Sequence, residues 1–299
     1  MTAPAFRGRL LRVRGSCCVV VAAAAFTVGA CGGGASDSAP RASGPDANAN
    51  TATTAGAKRS TVRVAAATAP AAFDAPPAEW LRITGASGKA QLVAVYRPND
   101  SDPHPAIVVL HGTGGLPAWQ LQWAAELAAK GYVVVSGCYL DAPAALDPEA
   151  FLACPGLPDG LAGSSRSKVL NAKTSYRAIL DATTGLEKVQ ADTIGVVGVS
   201  VGGGVALSFD DPRVKAIVAD SYYRETPGTT AGPVLLLGFT EDPLVSHDKV
   251  VAFAHEQQRQ GNPVESKYYP GALHLPLNRE HTTQDAKART IAFLDRHLR

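Results

Sequence analysis

An excess of one charge sign is missing from this 299-residue sequence, in which 28 Lys and Arg stand against 26 Asp and Glu. Even the net +2 is local. Arg7, Arg9, Arg12 and Arg14 precede Cys31 with no acidic residue among them, so the chain beyond carries 24 basic and 26 acidic residues, a balance of −2. Nothing in that balance points to a basic nucleic-acid-binding surface, and no nucleic-acid partner is expected. A membrane-spanning apolar run is missing too, because the uncharged stretch Gly15–Ala30 falls short of the roughly 20 residues a helix needs to cross a bilayer. No internal repeat is present. From Gly32 to about Pro77 almost no large apolar residue occurs, and such a composition cannot bury enough surface to offset the entropy of ordering.

What is present before residue 78 is organised as an address. The arginines followed by Gly15–Ala30 have the charged and apolar regions of a secretory signal. The stretch ends Val28-Gly29-Ala30-Cys31-Gly32, which resembles a bacterial lipobox. Residues 1–30 are therefore expected to be a lipoprotein signal peptide and Cys31 the lipidated first residue. Residues 31–77 are expected to be a flexible tether rich in Ala, Ser, Thr, Gly and Pro. Residues 78–299 are expected to be one folded domain, exported and held at the cell envelope by a lipid anchor in the membrane. Of the five cysteines, Cys17 and Cys18 fall in the signal and Cys31 in the lipobox. Cys138 and Cys154 remain, and two cysteines in an exported domain most simply pair.

The folded part reads as α/β. Trp80–Thr84 and Ala90–Tyr96 alternate as two antiparallel edge strands around Ala86-Ser87-Gly88. Ala106–Leu110, Tyr132–Ser136, Thr193–Val197, Val214–Val218 and Pro233–Leu237 are continuous aliphatic runs of the kind buried on both faces of a parallel sheet. Helix-type segments separate them at 118–130, 171–189, 201–209 and 246–260, and a last strand at 265–269 precedes a last helix at 283–298. Strands alternating with helices predict a doubly wound, mostly parallel sheet with helices on both faces. Between Asp220 and Pro233 there is no room for a large lid domain.

The run Thr193–Val197 leads directly into Gly198-Val199-Ser200-Val201-Gly202, a Gly-x-Ser-x-Gly between a strand and a small-residue helix. In that context the serine hydroxyl stands on a sharp turn, and the glycines spare the neighbouring backbone a collision. A serine nucleophile needs a base and the base an orienting carboxylate. Asp242 and then His274 follow in loops immediately after predicted strands. Glu241 rivals Asp242 for the carboxylate role. Asp220, at a strand end, is either a third carboxylate near the site or a cap of the turn into Ser221-Tyr222-Tyr223.

Taken together, Ser200, the loop holding Asp242, and Tyr269-Pro270-Gly271-Ala272-Leu273-His274 resemble the dienelactone hydrolase family of α/β-hydrolases, here with serine where the founding members carry cysteine. The resemblance spans about Glu79 to Arg299. It implies Ser200, Asp242 and His274 as a catalytic triad, and His111-Gly112-Thr113-Gly114-Gly115 as an oxyanion loop whose Thr113 N–H acts with the Val201 N–H. His111 is expected to be structural, held by the loop backbone. Tyr139, Tyr222 and Leu275 are expected in the substrate pocket. The implied activity is hydrolysis of small or short-chain esters or lactones through an acyl-enzyme, without metal or organic cofactor. A serine acyltransferase or peptidase on the same fold, and an inert tethered binding lipoprotein, are the alternatives. Metabolic labelling with a fatty acid should mark the protein in its native host, and Cys31→Ser should abolish the label; label that survives the substitution rules out the lipobox.

Overall fold

β-Branched runs form the middle of this protein because each strand is covered on both sides and can carry apolar residues at every position. The structure, a computed structural model, describes residues 62–70, 75–142, 151–154, 165–225, 228 and 230–299. The expected signal peptide, Cys31 and most of the expected tether lie outside the described residues. A nine-stranded sheet runs in the order β1-β2-β3-β6-β4-β8-β9-β10-β11. Its strands are β1 (Arg63–Ala66), β2 (Glu79–Thr84), β3 (Ala90–Tyr96), β4 (His104–Leu110), β6 (Val133–Gly137), β8 (Val189–Val199), β9 (Val214–Asp220), β10 (Val234–Phe239) and β11 (Val264–Tyr269). From β6 to β11 neighbouring strands are parallel, whereas β1, β2 and β3 join antiparallel at one side.

Two apolar clusters cover the two faces. On one, Leu121, Trp123 and Leu127 of α1 (Ala118–Ala129) and Phe293 and Leu294 of α6 (Thr283–Leu298) pack on Ile107, Val109, Val134 and Val218. On the other, residues of α2 (Ser165–Asn171), α3 (Lys173–Thr184), α4 (Val201–Ser208) and α5 (His247–Arg259), among them Tyr176, Ile179, Val205 and Phe253, pack on Val108, Val135, Val196 and Ile217. The doubly wound sheet read from the sequence is therefore the architecture observed.

Three boundaries depart from the expected ones. Arg63–Ala66, placed in the tether by composition, pairs with β2 from Arg63↔Thr84 to Ala66↔Leu81, so β2 and β3 are not the edge. All four residues of β1 are exposed, and an edge strand joins through its backbone without needing apolar side chains. The helix expected over 171–189 is α3, which runs only from Lys173 to Thr184 and stops before Gly185, and α2, which was not expected, precedes it. The excursion after β6 also contributes β7 (Phe151–Leu152), which pairs with β5 (Leu116–Pro117).

The chain crosses from β4 through α1 to β6 on one side, then returns through α2 and α3 to β8 on the other. The carboxyl ends of β4 and β8, aligned through Leu110↔Gly198, thus flank the point where strand order reverses, the position at which such sheets bind ligands. Beside it a disulfide joins Cys138 to Cys154 with a Cα–Cα distance of 5.3 Å. Ala142 and Cys154 exchange backbone hydrogen bonds of 3.3 and 3.1 Å, so the excursion is tied at the same point twice. With a sequence separation of 16 between the cysteines, replacing both by serine should cost about 3 kcal/mol of stability, measured by urea unfolding.

Candidate active site

Ser200 sits between β8 and α4 with φ 52° and ψ −124°, a left-handed conformation that a side chain adopts only when its surroundings enforce it. The enforcement is visible in the neighbours. Ser200 N–H donates to the Asp220 carbonyl (2.8 Å), and the Ser200 carbonyl accepts from the Gly203 N–H (2.8 Å). A Cβ on Gly202 would stand 2.5 Å from the Leu110 carbonyl oxygen, and one on Gly198 would strike the Gly202 carbonyl. Only glycine at both positions lets strand, turn and helix close this tightly. Ser200 is partly exposed, and Val201 is the first residue of α4, where N–H groups have no partner within the helix.

Asp242 and His274 meet. The His274 Nδ1–H donates to Asp242 Oδ2 at 2.7 Å, and these side chains are 11% and 2% exposed respectively. Asp242 Oδ1 accepts the Leu244 and Val245 N–H groups at 2.8 and 3.0 Å, which leaves the carboxylate no freedom to turn away. With Nδ1 holding the proton, Nε2 carries the lone pair, and it is buried without a hydrogen-bond partner. Glu241, the rival, is exposed, and its backbone N–H donates to the Gly271 carbonyl.

The loop after β4 is braced from below. His111 is fully buried, its Nδ1 2.6 Å from the Gly112 carbonyl and its Nε2 3.6 Å from Cys154 Sγ. Burial lowers its pKa to about 4, so the ring is neutral, and its expected structural role fits this position. Tyr139 does not face an open pocket: it is fully buried, and its hydroxyl donates to the His111 carbonyl at 2.6 Å. Thr113 lies partly exposed on the loop these residues hold. Tyr222 is buried against Gly203 and Gly204 of α4, and Leu275 stands next to His274 at φ 66°. Among the described residues no group of His, Cys, Asp and Glu side chains is arranged to hold a metal ion.

Sequence reasoning missed two residues beside the pair. Arg279 Nε donates to the His274 carbonyl at 2.8 Å, and the Ser221 hydroxyl accepts the Leu275 N–H at 3.0 Å. Ser221, at φ 57°, carries no sequence signal, since nothing in the residues around it announces a left-handed backbone.

A parallel sheet sandwiched by helices, with a serine on a strained strand–helix turn and an Asp–His pair at the neighbouring strand ends, defines an α/β-hydrolase. Within that class the chain belongs to the dienelactone hydrolase family, whose model matches residues 92–297. Its fold is shared with esterase 2 of the planctomycete Thermogutta terrifontis with propionate bound, at 17% identity over 76% of this chain and 96% of that one, with a TM-score of 0.55. It is shared as well with a dienelactone hydrolase-like promiscuous phosphotriesterase from metagenomic libraries, at 19% identity over 73% of this chain and 96% of that one, with a TM-score of 0.57. No curated protein matches the sequence significantly.

Asp220, fully buried at the end of β9, has its carboxyl pKa raised to about 7 by burial, against the hydrogen bonds from Leu277 and Ser221, with Asp242 adding repulsion. A folded-state pKa above the unfolded one means that the native state holds the extra proton between about pH 4 and 7, and the associated stability is lost as pH rises through that window. Asp220→Asn carries no such penalty. Its unfolding free energy relative to the unmodified protein should therefore improve from pH 4.5 to pH 7.5, as read by urea denaturation at the two values.

Proposed function

We propose that this protein is a serine carboxylic ester hydrolase acting through an acyl-enzyme on small or short-chain esters or lactones, with Ser200 as nucleophile, His274 as base and Asp242 as orienting acid. The observation that carries the reading is the coincidence of a strained, partly exposed Ser200 with a His274 whose Nδ1–H is committed to Asp242. Committing Nδ1 leaves the Nε2 lone pair to take the serine proton. Ser200 Oγ then bonds the acyl carbon, and the Thr113 and Val201 N–H groups receive the charge on the carbonyl oxygen. The alcohol leaves with the proton from Nε2. Water repeats the sequence to release the acid and restore Ser200.

Short acyl groups are favoured by three features. The interval between Asp220 and Pro233 is too short for a large lid, the Cys138–Cys154 link fixes one end of the rim excursion, and structures of esterase 2 of Thermogutta terrifontis hold bound propionate and, in another, bound butyrate. Export and lipid anchoring at Cys31 belong to the same proposal and rest on the signal and lipobox residues.

Ser200→Ala and His274→Ala should each lower p-nitrophenyl ester hydrolysis by about 10³-fold or more, and only Ser200→Ala removes the site of fluorophosphonate labelling. Asp242→Asn should cost several orders of magnitude, since an amide favours the wrong tautomer of His274, while Glu241→Gln should stay near full activity. A Ser200→Ala variant at half the unmodified rate would sink the triad. Activity across esters of graded chain length should fall as the acyl chain grows, without activation at an oil–water interface.

A further inference from the structure

One buried dipeptide touches every segment that carries a member of the proposed triad. The Asp220 backbone carbonyl accepts the Ser200 N–H at 2.8 Å, and the next N–H, that of Ser221, donates to the Leu237 carbonyl on β10 at 2.8 Å, the strand that leads to Asp242. Side chains complete the set. Asp220 Oδ2 accepts the Leu277 N–H at 3.1 Å, Ser221 Oγ accepts the Leu275 N–H at 3.0 Å, and the Ser221 O–H donates to Asp220 Oδ1 at 3.1 Å. Both residues are buried, at 0% and 1% exposure. The positive φ of Ser221 turns the chain so that successive groups face different partners, an arrangement that costs conformational energy wherever it occurs.

The turn held on the other side needs holding. Leu275 is left-handed at φ 66°, and Pro276–Asn278 form a single 3-10 turn, so the segment after His274 has almost no regular structure of its own. Among its other ties, Arg279 Nε donates to the His274 carbonyl and Thr282 Oγ1 to the Pro276 carbonyl, at 2.8 and 2.7 Å. These grip carbonyls. The Leu275 and Leu277 N–H groups are gripped by Ser221 and Asp220, and an unfastened buried N–H is costly enough for the turn to rearrange.

We propose that Asp220 and Ser221 are positioning residues for catalysis: their side chains latch the turn behind His274 while their backbone holds the Ser200 elbow and β10, so the three triad segments are registered on one point. The inference rests on the reading of Ser200 and His274 given above. It assigns Asp220 no contact with substrate and no proton transfer. A carboxyl or an amide oxygen at this position accepts the Leu277 N–H equally, whereas a methyl group does not.

The test is steady-state kinetics on a soluble short-chain ester, with melting temperature recorded for each variant. Asp220→Ala should lower kcat by about 10-fold to 100-fold, the cost of a misaimed catalytic group, with KM within about threefold because no substrate contact is lost. Asp220→Asn should recover most of the loss, to within about fivefold of the unmodified kcat, because the acceptor is restored. Ser221→Ala should lower kcat by about tenfold, again at constant KM. Unchanged kcat in Asp220→Ala, a loss confined to KM or melting temperature, or an Asn variant as impaired as Ala would each overturn the inference. Should Asp220→Ala fail to fold, Ser221→Ala decides, and a kcat within twofold of the unmodified protein overturns it. Ser200→Ala run alongside separates the two levels. An active Ser200→Ala variant removes the triad and the latch with it, whereas an inactive one beside a fully active Asp220→Ala removes the latch alone.

Discussion

The close approach of the β8–α4 turn to the end of β4 is the constraint on which the rest depends. With Gly202 against the Leu110 carbonyl and Gly198 against Gly202, the backbone at Ser200 has nowhere to go but the left-handed region. Backbone strain of this kind costs of order 1–3 kcal/mol and persists only where the surroundings over-determine it. Here they do. β8 is buried between β4 and β9, its last six residues are closed to solvent, and α4 has Gly202 where it meets the end of β4 and Gly203 and Gly204 where it meets Tyr222. The core therefore supplies the rigidity that the turn consumes.

From that fixed point the site is assembled by register. Parallel neighbours bring Leu110, Val199, Asp220 and Phe239 to the same end of the sheet, and the loops that follow these strands carry Thr113, Ser200, Ser221 and Asp242. Each loop is then secured by its own means. Asp242 is held by the N–H groups of Leu244 and Val245, the loop of Thr113 by buried His111 and Tyr139, and the turn of His274 by hydrogen bonds from outside itself. Two buried ionisable groups share this layer with opposite responses to acid. His111 is neutral because burial lowers its pKa, and Asp220 is pushed toward neutrality because burial raises its own.

The choice between Asp242 and Glu241 shows where sequence reading ends. The two are adjacent, both carboxylates, both just beyond β10, and a one-residue shift of the loop would exchange them. What separates them is the turn made when Leu244 and Val245 donate back to Asp242, which points that carboxylate inward at His274 and leaves Glu241 exposed. β1 makes the same point from the other direction. Its composition is that of a linker, yet an open sheet edge accepts any extended backbone, and hydrogen bonding to β2 carries no compositional mark.

The sequence by itself determined the alternation of strand and helix, because continuous Val, Ile and Leu runs of strand length are stable only under two covering layers. It determined the glycines around Ser200 as well, because close backbone approach admits no other residue, and with them the order in which serine, acid and histidine follow along the chain. Tertiary structure alone decided which groups touch. That His274 meets Asp242, that Cys154 backs onto His111, that Tyr139 supports a loop instead of facing a pocket, and that Asp220 and Ser221 reach Leu277 and Leu275 all depend on loops returning from distant strands to one end of the sheet. Those contacts are set by the register of neighbouring strands and by positive φ values at Ser221 and Leu275. Neither leaves a residue-type signature, since the packing of the surrounding sheet, and not the local residue, imposes them.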